Sequence, residues 1–307
     1  MKKGNSSMIE TLLKNNEILS TVYQKKCFIP VHINSPNNVT QQQAAEIIEN
    51  YNVFGFSIFQ LNQPISNDMD LINLYKCLGL YQPFVPQIYQ HDPEIYQKSG
   101  LNYIHRGQKK GNGERFHRAF QTTNNQKLHS DGTLEGIGQI KTSTLFCVNP
   151  AGEGGDNLIF NSVAAFFTLL KMSPNLACSM LEENALKRVD IGRTNRSSIG
   201  PAFKIENNKL ISRFSMDNTC DWEYGFNQIL NLRECFNQLN RFINLDSPYY
   251  TRIRLQRNQG LIMANHKISH GRTSYSETPD SQRKMIRGLF SNEPQLNHQV
   301  IHEINNA

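Results

Sequence analysis

The chain reads as a mainly β protein with helical insertions, an α+β class. Three features of the sequence predict this. Six short runs of strand character crowd into the segment after Thr142, a helix–strand–helix entry precedes them, and apolar residues at helical spacing interrupt the later strands. A β-sandwich or a closed barrel carrying helices accommodates that order.

The elements follow from their residues. Residues 1–39 form a polar leader, and Thr40-Gln41-Gln42-Gln43 then has the form of a capping box ahead of Ala44, Ala45, Ile47 and Ile48, so a helix starts there. Asn52 to Leu61 is rich in β-branched and aromatic residues and predicts a buried strand, followed by a helix over Asp68–Leu78 that stops at Gly79. From Pro83 to Arg118 the periodicity dissolves into Pro, Gly, His and Lys. A connection that long is either a functional lid or partly disordered, and 86–118 is the candidate lid loop. Strands are predicted over Thr142–Val148, Asn157–Phe160, Leu210–Phe214, Thr251–Arg257, Leu261–Asn265 and Lys284–Phe290. In the fourth, alternation turns Ile253 and Leu255 inward and Arg252 and Arg254 outward. Helices are predicted over Ser162–Met172, then one capped by Ser173 with Pro174 in its first turn, and from Leu232 through Phe236, Leu239 and Ile243. The stripe Phe166, Phe167, Leu169 and Leu170 reads as core. With no internal repeat and no linker, residues 1–307 read as one domain.

Bulk properties narrow the function classes. The formal charge of +6 comes from scattered Lys and Arg, and the densest basic stretch, Arg106–Arg118, is broken by glycines and polar residues. That is a mild bias toward anionic ligands and lacks the basic, aromatic-interleaved stripe of a nucleic-acid binder. Six cysteines lie far apart without a C-x-x-C pair and read as reduced and mostly buried. Met1-Lys2-Lys3 is not followed by an apolar signal region, and no run approaches the ~18 apolar residues of a membrane span, so a cytoplasmic location is expected. Oligomeric state is left open.

In Leu128-His129-Ser130-Asp131-Gly132-Thr133, imidazole and carboxylate are one residue apart, so on an extended segment both face the same way and can share a metal. A third ligand can come from Asn265-His266-Lys267-Ile268-Ser269-His270-Gly271-Arg272, beyond a predicted strand. Two histidines and one carboxylate make the facial triad of non-haem Fe(II) oxygenases, which leaves positions open for cosubstrate and O₂. The H-x-D pair alone is a weak signal, and His/Asp/His also suits a Zn(II) hydrolase. Arg283, thirteen residues after His270, starts a strand that continues Met285, Arg287 and Leu289, where a guanidinium can take a carboxylate of 2-oxoglutarate bidentately.

Four segments, LHSDGT, GEGGDNLIFNSV (Gly152–Val163), NHKISHGRTSY (Asn265–Tyr275) and RKMIRGLF (Arg283–Phe290), together resemble the taurine dioxygenase/clavaminate synthase superfamily of Fe(II)/2-oxoglutarate oxygenases. The resemblance runs from about Val53 to Phe290. It implies a double-stranded β-helix (jelly-roll) core with Fe(II) at its mouth, held by His129, Asp131 and His270, with 2-oxoglutarate and O₂ as cosubstrates. It selects His270 over His266, which becomes a hydrogen-bonded neighbour. It gives Arg283 to the distal carboxylate of 2-oxoglutarate. Asn157 stands where the family often has a threonine touching the same carboxylate, and its amide can still donate. Arg287 matches an arginine that meets the substrate carboxylate in amino-acid-processing relatives; a surface salt bridge is the plain alternative. Asp131 retains the acid that halogenating relatives replace.

The implied activity is hydroxylation of an unactivated C–H of a small carboxylate-bearing substrate, a free or modified amino acid or a specialised metabolite, with release of succinate and CO₂. Desaturation or cyclisation by the same chemistry, hydroxylation of a protein or nucleic acid, and a non-catalytic member are the alternatives. His105 and His117 read as solvated loop residues, and Arg272 as structural near the site.

Overall fold

In the computed structural model, the described residues are 3–14, 23, 25–90, 96–106, 122–191, 194 and 196–296. Six strands form the larger sheet, in the order Val31–Ile33, Phe56–Leu61, Gln259–Ala264, Thr142–Asn149, Lys284–Phe290 and Asn102–His105. The first pair is parallel and the rest antiparallel. A second, antiparallel sheet orders Tyr250–Ile253, Asn157–Phe160, Ser269–Arg272 and Gln126–His129.

The two sheets meet over one apolar cluster. Ile58, Leu145, Leu261, Met263 and Met285 of the larger sheet join Ile159 and Ile253 of the smaller. On the opposite face of the larger sheet, Phe59, Phe146, Ile262 and Ile286 pack against Ile47 and Tyr51 of the Gln41–Phe54 helix and Leu74 of the Asp68–Cys77 helix. Neighbouring residues such as Ile58 and Phe59 therefore bury on opposite faces, which is why these strands read as nearly continuous apolar runs. A third cluster joins Phe160 of the smaller sheet to the Ser162–Met172 and Leu232–Arg241 helices. There Phe166 stacks on Phe203 at 4.0 Å between ring centroids, and Phe167, Leu169 and Leu170 are buried core residues.

The first helix begins at the predicted capping box: Thr40 Oγ1 accepts from the Gln43 amide, and the Gln43 side chain accepts from the Thr40 amide. It runs further than predicted. Asn52 to Phe54 are its last residues, with Tyr51 and Phe54 buried, and the strand begins at Phe56 after Gly55 turns the chain at φ 80°. The Thr251–Arg257 strand is shorter than predicted and ends at Ile253, with Ile253 and Leu255 both buried and Arg252 and Arg254 reaching toward Asp156. Pro174 opens a four-residue helix whose preceding Ser173 makes no side-chain cap. All six cysteines are free, four of them buried.

The irregular reading of 83–118 needs the largest correction. Asn102–His105 is a strand that closes one edge of the larger sheet against Lys284–Arg287, with His105 exposed at its end. Elsewhere in the candidate lid Gln87–Tyr89 forms one 3-10 turn, while 91–95 and 107–118, including His117, lie outside the described residues. No helix among the described residues is long and apolar enough to cross a membrane.

Candidate metal centre

The smaller sheet builds the site. His129 is the last residue of Gln126–His129, and His270 lies within the Ser269–Arg272 strand; the two strands pair with His270 directly opposite His129. A turn at 265–267 precedes that strand. The imidazole centroids are 4.5 Å apart. Asp131 follows in the loop after His129, so one donor atom from each of His129, Asp131 and His270 falls within 4.8 Å of the others, near enough to share one ion.

Hydrogen bonds outside the triad set its orientation. The Lys127 carbonyl lies 3.0 Å from His129 Nδ1, which places the proton there and leaves Nε2 the acceptor, with the Gln126 side-chain amide 3.3 Å from it. His270 Nε2 lies 3.4 Å from Asp131 Oδ2. Ser143 donates to Asp131 Oδ2 at 2.6 Å, and Arg287 Nη1 donates to Oδ1 at 2.6 Å. The Asp131 amide donates to Asn265 Oδ1 at 2.7 Å, while Asn265 Nδ2 donates to the Asp131 and Ile140 carbonyls at 3.2 and 2.9 Å.

The electrostatics suit a divalent cation. Burial, reinforced by His270, pushes the His129 imidazole down to about 4, so it is neutral at ordinary pH. Burial works against ionisation of Asp131, but Arg287 and then His270 hold its carboxyl well below the usual range. Two imidazoles and one carboxylate form a donor set appropriate to Fe(II).

That cavity encloses about 470 Å³ including its open mouth, and its lining includes His129, His270, Asn157, Arg272, Arg283 and Arg287. Arg283, just ahead of the Lys284–Phe290 strand, and Arg287 within it both line the cavity, across a register shift at Lys284/Met285. Arg283 is 4 % exposed, its Nη1 has no hydrogen-bond partner among the described residues, and burial together with Arg272 lowers its guanidinium to about 10. Arg287 is buried against Asp131, with Nη2 donating to Tyr96 Oη at 3.2 Å, so the surface-salt-bridge alternative does not describe it. Asn157 Nδ2 donates to the Ile253 carbonyl at 3.2 Å from the cavity wall. Arg272 donates to the Thr122 and Asn124 carbonyls and stacks over Tyr275 at 4.7 Å. His266 turns away from the triad, with Nδ1 against the Lys141 carbonyl at 2.8 Å and Nε2 against Glu293 at 2.6 Å.

Ser143, Asn265 and Tyr96 are the contributors that sequence reasoning missed. Asn265 stood in a quoted motif, one residue before His266 at the end of an apolar run, where a buried amide is a usable signal. Ser143 and Tyr96 carried none.

Residues 19–289 match the family described as taurine catabolism dioxygenase TauD, TfdA family. The chain belongs to this dioxygenase family. It is 30 % identical over 256 residues, 83 % of this chain and 91 % of the relative, to a uridine-5'-phosphate dioxygenase of an Amycolatopsis species. A uridine-5'-phosphate dioxygenase of a Streptomyces species is 27 % identical over 226 residues, 70 % of this chain and 76 % of the relative. Among solved structures, AAD-2 in complex with Mn(II) and N-oxalylglycine superposes with a TM-score of 0.62 at 14 % identity, covering 85 % of this chain and 93 % of that one. A taurine dioxygenase from Burkholderia xenovorans gives 0.57 at 12 % identity, covering 88 % and 89 %. These two structures share the fold.

Proposed function

We propose that the chain is an Fe(II)/2-oxoglutarate-dependent dioxygenase that oxidises a C–H bond of uridine 5'-phosphate or a close nucleoside monophosphate, releasing succinate and CO₂. In this reading the two facing sheets are the double-stranded β-helix core, and His129, Asp131 and His270 hold the iron. Arg283 takes the distal carboxylate of 2-oxoglutarate with its unpartnered Nη1, Asn157 supports it from the wall, and Arg287 faces the substrate anion. Iron with 2-oxoglutarate and O₂ supplies the oxidising power when bound. The chain's own residues place one C–H bond and keep water from it.

The observation that carries the substrate class is the charge of the cavity. Its described lining holds three arginines and no carboxylate. Divalent iron, the Asp131 carboxylate and dianionic 2-oxoglutarate leave the centre one charge negative, and the three guanidiniums turn that into a surplus of two positive charges. A phosphate monoester dianion neutralises that surplus, whereas a zwitterionic amino acid brings no net charge to it. The identity to uridine-5'-phosphate dioxygenases supports the same choice.

The test is succinate release from protein supplied with Fe(II), 2-oxoglutarate, ascorbate and air. Uridine 5'-phosphate is expected to raise succinate well above the substrate-free rate, and uridine, which lacks the phosphate, is not. Equal stimulation by uridine, or stimulation by amino acids and none by the nucleotide, overturns the substrate reading.

A further inference from the structure

Arg188 is the largest fully buried side chain in the described structure, 1 % exposed, and it lies outside the cavity. It stands on the Leu186–Val189 strand, part of a small three-stranded sheet with Ser197–Gly200 and Cys220–Asp221 that belongs to neither main sheet. Its Nη1 donates to the Ser130 carbonyl at 3.0 Å and to the Gly132 carbonyl at 3.4 Å, the two residues that flank Asp131. The other side of the guanidinium is held in turn. Nε and Nη2 donate to Thr219 Oγ1 at 3.3 and 3.1 Å, and Asp217 Oδ1 lies 4.0 Å from Nη2. Asp217 itself accepts from the Thr219 amide at 3.2 Å and hydroxyl at 2.6 Å.

The loop needs such a hold. Strand pairing ends at His129, Gly132 has φ 94°, and Ser130 to Gly132 lie in no sheet ladder that would fix the Asp131 carboxylate at ligand distance from two histidines on paired strands. Neighbouring residues of the 213–219 segment add two more ties: the Ser130 amide donates to Ser215 Oγ at 3.0 Å and the Met216 amide to the Leu128 carbonyl at 2.7 Å. A planar guanidinium can grip two carbonyls and a hydroxyl at once, and an ammonium on a flexible stem cannot hold that geometry.

We propose that Arg188, braced by Thr219 and Asp217, is a positioning residue that pre-sets Asp131 against His129 and His270 for metal binding. It rests on the reading of the triad as the metal site. Mn(II) affinity of the purified full chain is measured by titration, well below the melting temperature of every variant, for wild type, Arg188→Met, Arg188→Lys and Thr219→Val. Leu74→Ala, a core truncation in the Asp68–Cys77 helix, serves as a control for destabilisation alone. Arg188→Met is expected to raise the Mn(II) Kd by about 10- to 100-fold, the range for residues that orient metal ligands. Arg188→Lys is expected to restore part of that loss and Thr219→Val to weaken binding less than Arg188→Met. Leu74→Ala lowers the melting temperature and leaves the Kd near wild type. Should Arg188→Met fail to fold, Arg188→Lys and Thr219→Val carry the test, with raised Kd supporting the assignment. Folded Arg188 and Thr219 variants with wild-type Kd, or a Leu74→Ala variant equally impaired, overturn it. A wild type that binds no Mn(II) sinks the metal-site reading instead, so the two failures are distinct.

Discussion

Replacing Arg287 by Met tests the electrostatics of the centre without touching a metal ligand. Arg287 and Asp131 are 7 % and 8 % exposed and 2.6 Å apart, so removing the guanidinium strands a buried carboxylate. Breaking a buried pair on one side costs about 3–5 kcal/mol. At roughly 2–4 °C per kcal/mol for domains slightly smaller than this one, the metal-free variant should melt about 6–20 °C below wild type. A divalent cation bound at the triad returns a positive partner to Asp131. Saturating Mn(II) should therefore raise the melting temperature of Arg287→Met by more than it raises that of wild type. Differential scanning fluorimetry with and without Mn(II), after exhaustive chelation, reads both quantities. Equal melting temperatures for the metal-free proteins would falsify the buried-pair argument, and equal Mn(II) shifts would separate Arg287 from the metal site.

Arg283→Ala should raise the KM for 2-oxoglutarate by at least about tenfold, since a charge-assisted bidentate contact is worth more than 1.4 kcal/mol; an unchanged KM removes Arg283 from the cosubstrate. The metal-free protein should lose stability on acidification. His129 titrates near 4 in the fold and near ~6.5 unfolded, so its contribution is whole above pH 6.5 and drains away toward pH 4, on the order of 3 kcal/mol in all. Urea midpoints at several pH values should show a flatter acid limb for His129→Asn, and parallel limbs contradict the assignment. Asn265→Ala, which strips the partner of the Asp131 amide and two buried carbonyl contacts, should cost about 1–3 kcal/mol in chemical denaturation and weaken Mn(II) binding. Loss of stability with metal affinity intact confines Asn265 to the fold.

The metal ligands were legible because their chemistry is local: His129 and Asp131 are one residue apart, and His270 with Arg283 completes a recognisable spacing. The strands that carry them were not. Gln126–His129 and Ser269–Arg272 have polar, loop-like sequences and become strands only because Ser269–Arg272 pairs with Gln126–His129 on one side and Asn157–Phe160 on the other, across gaps of more than a hundred residues. Asn102–His105 was missed for the same reason, since its pairing with Lys284–Arg287 is a tertiary choice and its own four residues carry little periodicity. Arg287 could be placed on the cavity face by its even offset from Arg283, but its ion pair with Asp131 depends on the loop geometry after His129. Arg188 gave no signal, because an arginine on a short alternating strand reads as a solvated residue until the carbonyls around Asp131 are found against it.

If the triad and Arg283 form one Fe(II)/2-oxoglutarate site, an anaerobic titration reveals it. Fe(II) and then 2-oxoglutarate are added to the metal-free protein while the visible metal-to-ligand charge-transfer band of the chelate is followed, for wild type, Asp131→Ala and Arg283→Ala. Wild type should develop a saturable band, Asp131→Ala should lose it, and Arg283→Ala should need much higher 2-oxoglutarate. A wild type that binds a divalent metal yet develops no band with 2-oxoglutarate contradicts that assignment.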